Sequence, residues 1–249
     1  MPFTISHAAI VVPFTYLPRK YLSATGLIIG SMVPDFLYFT LLDPYFNAGH
    51  LWWGIFVYDI PLSLLLAFLY HNVVRQALIA YSPKWISGRL RLFGNFNWNT
   101  YFRQHYLVVI SSVIIGVLSH LFLDAFTHGE GVFVELLPAL QGDVTVLHHQ
   151  MKMWYLMQYI SSIVGLPLLL YFFLKIPMTK KVSRMVTQQK AGFWLLVVVA
   201  SIMILLGNEY LHHINCKGLD YLAVAMGGLF YGLIVVVLWY YRYSSRSTR

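Results

Sequence analysis

The stretch HYLVVISSVIIGVLSHLFLDAFTHG, residues 105–129, decides the fold. Between Tyr106 and Thr127 its only charged residue is Asp124. As a helix, residues 105–128 would run roughly 36 Å, enough to cross a hydrocarbon core of ~30 Å. Its final part, SHLFLDAFTHG at 119–129, spaces His120, Asp124 and His128 four residues apart. Each step of four turns about 400°, so the three side chains drift about 80° and share one face. Two imidazoles and a carboxylate at one height are the donor set of a divalent metal, zinc foremost. Ionisable groups are costly in lipid and mark function there. The alternative is three polar residues lining a helix–helix contact and hydrogen-bonded to neighbours.

Composition places the rest of the chain in the same solvent. Of 249 residues, 59% are hydrophobic and 10% charged, against about 25% charged in a soluble domain. The expected fold is all-α, a polytopic transmembrane helical bundle. Tyr, Phe and Trp are abundant enough to form aromatic belts at both bilayer surfaces. The net charge of +8 sits in loops beside apolar spans, so a membrane surface is expected as partner and nucleic acid is not. A single cysteine, Cys216, excludes an intrachain disulfide and a cysteine-based zinc site. No cleaved signal peptide is expected at the N-terminus.

Six spans are expected, at 21–42, 51–74, 105–128, 154–174, 191–208 and 221–241, after a short apolar segment at 5–17 that contains Pro13. Gly30, Ser31 and Pro34 interrupt the first span, and Asp35 follows the proline. Proline frees a carbonyl one turn earlier, and broken backbone at membrane depth is tolerated where it lines a protein-enclosed cavity. Asp35 is expected to face the bundle interior, as a salt-bridged or protonated acid or as a metal ligand. In the second span Asp59 stands before Ile60-Pro61. The loop at 75–103 is basic and aromatic, suited to anionic headgroups. The stretch 129–153 reads as a polar loop.

Sidedness sorts the candidates. The basic segments, 75–103, 175–190 (with Lys180, Lys181 and Arg184) and 242–249, face the cytoplasm by the positive-inside rule. The loops at 43–50, 129–153 and 209–220 then face outward. Asp35, His50 and Asp59 fall toward the outer ends of their spans, level with His120, Asp124 and His128. His71 and His105 fall at the opposite face and are excluded. His7, taken alone, is an incidental terminal histidine.

Several ordered motifs resemble a bacterial membrane family catalogued as domain of unknown function 4184: MPFTISHAA at the start, GSMVPDF around Asp35, HLWWGIFVYDIPL from His50, SHLFLDAFTHG, and MQYISSIVG around Gln158. The resemblance covers roughly residues 1–175. It implies a protein of the bacterial cytoplasmic membrane, and the residues above lead to the expectation of a metal-site membrane domain at 1–175, with 176–249 as two further helices of the same bundle. More remotely the chain is similar to membrane-bound metal-dependent hydrolases and to the zinc-dependent phospholipase C and single-strand nuclease group. That likeness implies metal ligands at His7, Asp35, His50, His120, Asp124 and His128. In a catalytic site of this kind Asp35 is expected as bridging ligand or base for a bound water, and Asp59 as the group that orients a ligand imidazole or as a base. The later His-x-x-x-Glu pair of those soluble enzymes has no match after His128, and His148 or His149 is a weak substitute.

The expected function is a membrane-embedded metal-dependent hydrolase of a phosphoester or lipid-linked substrate at the outer half of the membrane. The alternative is a non-enzymatic metal-binding protein, a transporter or sensor. The ligands gather on one half of the membrane, whereas a transporter needs a continuous polar path.

Overall fold

The computed structural model describes residues 3–179, 185–212, 216 and 220–247. The basic positions Lys180, Lys181, Arg184 and Arg249 lie outside them, as does His213.

The chain is helical almost throughout. A single turn, α1 (Ala8–Val11), sits between 3-10 turns at Thr4–His7 and Val12–Tyr16. Then come α2 (Ala24–Gly30), α3 (Val33–Leu41), α4 (Ile55–Tyr81), α5 (Lys84–Leu90) and α6 (Trp98–Thr127). Short helices α7 (Val132–Leu136) and α8 (Pro138–Gln141) precede a hairpin of β1 (Asp143–Val146) and β2 (His149–Lys152). Three long helices close the chain: α9 (Met153–Lys175), α10 (Thr187–Leu211) and α11 (Asp220–Ser247).

Among the described residues, five helices are long and apolar enough to cross a membrane, or six where α2 and α3, bent by 62° to each other, count as one broken span. They coincide with the six expected spans, and the protein is an integral membrane protein. The first span is broken because Pro34, one residue into α3, has no N–H to give back to the preceding turn. The third begins at Trp98, earlier than expected, and kinks at His105 (φ −134°, ψ 31°). The stretch 129–153 is not the plain loop the sequence suggests. Its hairpin turns through Leu147 and His148, both with positive φ (47° and 69°). That turn hand matches the twist of paired strands and is normally announced by Asn-Gly. Lys152 and Asp143 pair across the open end at 3.0 Å.

The chain divides into two compact units: Met1–Pro34, Gly49–Leu64 and Gln104–Lys175 form one, and Asp35–Ala48, Leu65–Arg103 and Ile176–Arg249 the other. In the first, Val109, Val113 and Val117 recur every four residues along α6 and are fully buried, as is Leu27 of α2. Glycines let α2 and α6 touch backbone to backbone. A Cβ on Gly26 would lie 2.9 Å from the Val109 carbonyl oxygen, and one on Gly116 would lie 2.7 Å from the Ser31 nitrogen. Close approach through small residues is how helices associate where lipid removes the hydrophobic drive. Ser112 Oγ accepts the Ser23 N–H at 2.8 Å and ties the N-terminal end of α2 to α6.

In the second unit, Ala77, Phe193, Val197, Val236 and Val237 form a buried apolar cluster. Tyr81 stacks on Phe193 at 4.3 Å, and Trp194 Nε1 donates to the Tyr81 carbonyl. His71, set aside above, stacks flat on Trp98 at 4.6 Å. Its neighbour Arg75 is buried and donates to the carbonyls of Phe93 and Phe96. These are structural roles.

Candidate metal centre

Of the candidate residues, His7, His50, Asp59, His120, Asp124 and His128 all belong to the first unit. The centre starts from the break between α2 and α3. A helix end leaves carbonyls without helical partners. The Ser31 carbonyl is one such group, and His120 Nδ1 lies 2.9 Å from it. A carbonyl only accepts, so Nδ1 carries a proton, which leaves Nε2 as the ring atom able to bind a metal. This is the usual way a second partner prepares an imidazole for a metal.

His120 Nε2 faces the other donors. His120 Nε2 is 3.2 Å from Asp124 Oδ2 and 3.3 Å from His50 Nε2. His50 Nε2 is 3.2 Å from the same Asp124 oxygen. The three atoms form a near-equilateral triangle, and their residues are a group able to hold an ion. Ligands at ~2.0–2.1 Å from a tetrahedral zinc stand roughly 3.3–3.4 Å apart, so the triangle has the size of one tetrahedral face. Two imidazoles and a carboxylate are also a donor set found in catalytic zinc sites, where water or substrate takes the fourth position.

Asp124 is the hub. It is 7% exposed, and both its oxygens face imidazoles. Oδ1 lies 3.7 Å from His7 Nε2 and 3.5 Å from His128 Nδ1. His7 is 1% exposed and stacks on His120 at 3.9 Å. The ring on the third helical position behaves differently. His128 is partly exposed, and its Nδ1 also lies 3.2 Å from the Asp124 backbone carbonyl. It stands beside the triangle rather than in it.

Asp59 is fully buried, in the π-helical first turn Ile55–Asp59 of α4. Such widened turns occur often at functional sites. A Cβ on Gly49 would lie 2.9 Å from Asp59 Oδ1 and 2.8 Å from the Pro34 carbonyl oxygen. Glycine is therefore needed for the turn carrying His50 to close against Asp59. Neither Asp59 oxygen has a hydrogen-bond partner among the described residues, and both His50 and His120 act on it electrostatically. A buried carboxylate without a hydrogen bond is costly unless a water or cation meets it. Asp35 is also fully buried, in the first turn of α3, and belongs to the second unit. His148 and His149 lie in the exposed hairpin.

The profile of the family described as "Domain of unknown function (DUF4184)" matches residues 1–241. The chain belongs to the DUF4184 family. The match runs well past residue 175 and includes both C-terminal spans, so the family pattern is wider than the front-half motifs suggest. No curated protein and no solved structure matches the chain.

Two parts of this DUF4184 centre are not apparent from motif spacing. One is the Ser31 carbonyl, a backbone atom that no residue type announces. The other is Gln158 of α9, 5% exposed, whose Nε2 donates to the Thr127 carbonyl at 2.6 Å. It ties α9 to the end of the helix bearing His120 and Asp124. The available signal was a polar amide inside an apolar span.

Proposed function

We propose that this DUF4184 protein is a metal-dependent hydrolase embedded in the bacterial cytoplasmic membrane, acting on the phosphoester of a lipid-linked substrate at the outer half of the bilayer. The single observation that carries the reading is the 3.2–3.3 Å triangle of His50 Nε2, His120 Nε2 and Asp124 Oδ2.

His50, His120 and Asp124 would hold the ion, with His7 stacked behind His120 and His128 beside Asp124 Oδ1. Zinc held there would supply a Lewis acid for a phosphoryl oxygen and a water of lowered pKa. Asp59 takes the proton from the attacking water, as a general base must. The water oxygen bonds to phosphorus, the ester P–O bond breaks, and the leaving alkoxide is protonated from solvent. Asp35 joins the proposal on sequence grounds, as the buried acid directly after Pro34.

The test is hydrolysis of a phosphodiester and phospholipid panel by purified protein, with metal content measured alongside. Zinc-dependent turnover, lost in Asp124→Ala and in Asp35→Asn without loss of folding, supports the reading. Bound zinc with no turnover on any ester overturns the hydrolase reading and leaves a metal-binding membrane protein.

A further inference from the structure

We propose that the cleft beside the metal centre seats one alkyl chain of a lipid-linked phosphoester, with the phosphoryl group at the His–Asp cluster. The inference rests on the hydrolase reading above and adds the seat of the substrate's alkyl chain.

The cleft has a volume of ≈ 230 Å³ and is walled by Ile10, Leu123, Val164 and Leu168, with Ala9 and Gly165 behind them. All of these residues lie in the first unit. Sites for whole small ligands run about 300–1,000 Å³, so this cleft suits a segment of one chain and not an entire lipid. Its wall on α9 uses Ser161, Val164, Gly165 and Leu168, the i, i+3, i+4, i+7 face of a helix. The one hydroxyl on that face is turned away, since Ser161 Oγ donates to the Gln158 carbonyl at 2.9 Å. Both flanking helices, α6 and α9, are candidate membrane spans. A polar ligand would lose its hydration there without recompense, whereas an alkyl chain loses nothing.

Its position ties the cleft to the cluster. Ser6 and Leu123 line it, and each immediately precedes a residue of the centre, His7 and Asp124. The Gln158–Thr127 hydrogen bond sets the level of α9 against α6. One helical turn along both helices brings Ser161 about level with Asp124, and Leu168 roughly 10 Å deeper into the bilayer. A chain lying along this face would therefore run down from the cluster, as a lipid tail runs from its headgroup. Gly165 closes the back: a Cβ there would lie 2.9 Å from Ser6 Cβ and 3.0 Å from the Ser6 carbonyl oxygen.

The test uses purified protein in nanodiscs made with a phospholipid that carries a photoactivatable diazirine in its acyl chain. Adducts are mapped by peptide mass spectrometry in wild type and in Val164→Trp, with Ile10→Trp as second variant. Val164 is well exposed and touches no ligand, so zinc content should not change. The expected result is adducts on half-buried Leu123 that fall about tenfold in the variants, the loss of roughly two buried methylenes' worth of contact. Adducts on outward-facing Ile163, 69% exposed, should persist. Labelling confined to Ile163, or Leu123 labelling unchanged by both variants, overturns the cleft. Activity separates this from the reading beneath it. Hydrolysis of a water-soluble aryl phosphodiester without labelling of Leu123 overturns the cleft alone. Labelling of Leu123 by a protein that hydrolyses no ester overturns the hydrolase and leaves a lipid seat.

Discussion

His120 Nδ1 lies 2.9 Å from the Ser31 carbonyl oxygen, across the contact between α6 and the broken end of α2. The bond fixes the ring so that Nε2 faces His50 and Asp124. A helix interruption in one span thus fixes the ring orientation of a histidine in another.

Pro34→Ala restores the missing N–H and lets the chain between α2 and α3 wind on. The Ser31 carbonyl is then drawn toward helical partners and away from His120. Losing such an outer partner typically costs 10–100-fold in metal affinity, and about that loss is expected for zinc. Competition with a fluorescent zinc chelator measures it.

Gly49→Ala puts a methyl group 2.8 Å from the Pro34 carbonyl oxygen and 2.9 Å from Asp59 Oδ1. The turn bearing His50 must move outward. Overpacking of this kind costs about 1–3 kcal/mol. The variant should unfold at lower temperature in detergent and bind zinc more weakly, read by thermal unfolding with and without chelator.

Much of this was legible in the residues. The apolar runs announce the spans because lipid leaves few other solutions. Gly30, Ser31 and Pro34 announce the break. Four-residue spacing places His120, Asp124 and His128 on one face, but spacing does not say which imidazole turns back on its own helix. His128 Nδ1 is drawn to the Asp124 carbonyl, a local competition invisible in a pattern of letters. Sidedness puts His50 at the right level, while its 3.2 Å approach to Asp124 depends on the glycine before it. The hairpin at 143–152 escaped because Leu147 and His148 occupy a turn that usually carries Asn-Gly.

Asp59→Asn keeps the shape of the side chain and removes the base. Asp59 lies outside the three-atom triangle, so zinc content should stay at the wild-type level. Turnover of a phosphodiester should fall about 10²–10⁴-fold, the range for losing a general base, with KM little changed. Steady-state kinetics and metal analysis on one preparation read both. An unchanged kcat assigns Asp59 a structural role.

Gln158→Leu removes the donor to the Thr127 carbonyl. A buried acceptor left without its partner costs about 1–3 kcal/mol. Thermal unfolding should register that loss. Zinc affinity should drop with it, because the α6 end carrying Asp124 is no longer held to α9.

The most direct measurement is zinc-edge X-ray absorption on the purified protein and on His120→Ala. The wild type should hold zinc with nitrogen and oxygen neighbours at ~2.0–2.1 Å and no sulfur, and the variant should have lost it. Zinc absent from the wild type, sulfur in its coordination sphere, or the same spectrum in both proteins would rule out a centre at His50, His120 and Asp124.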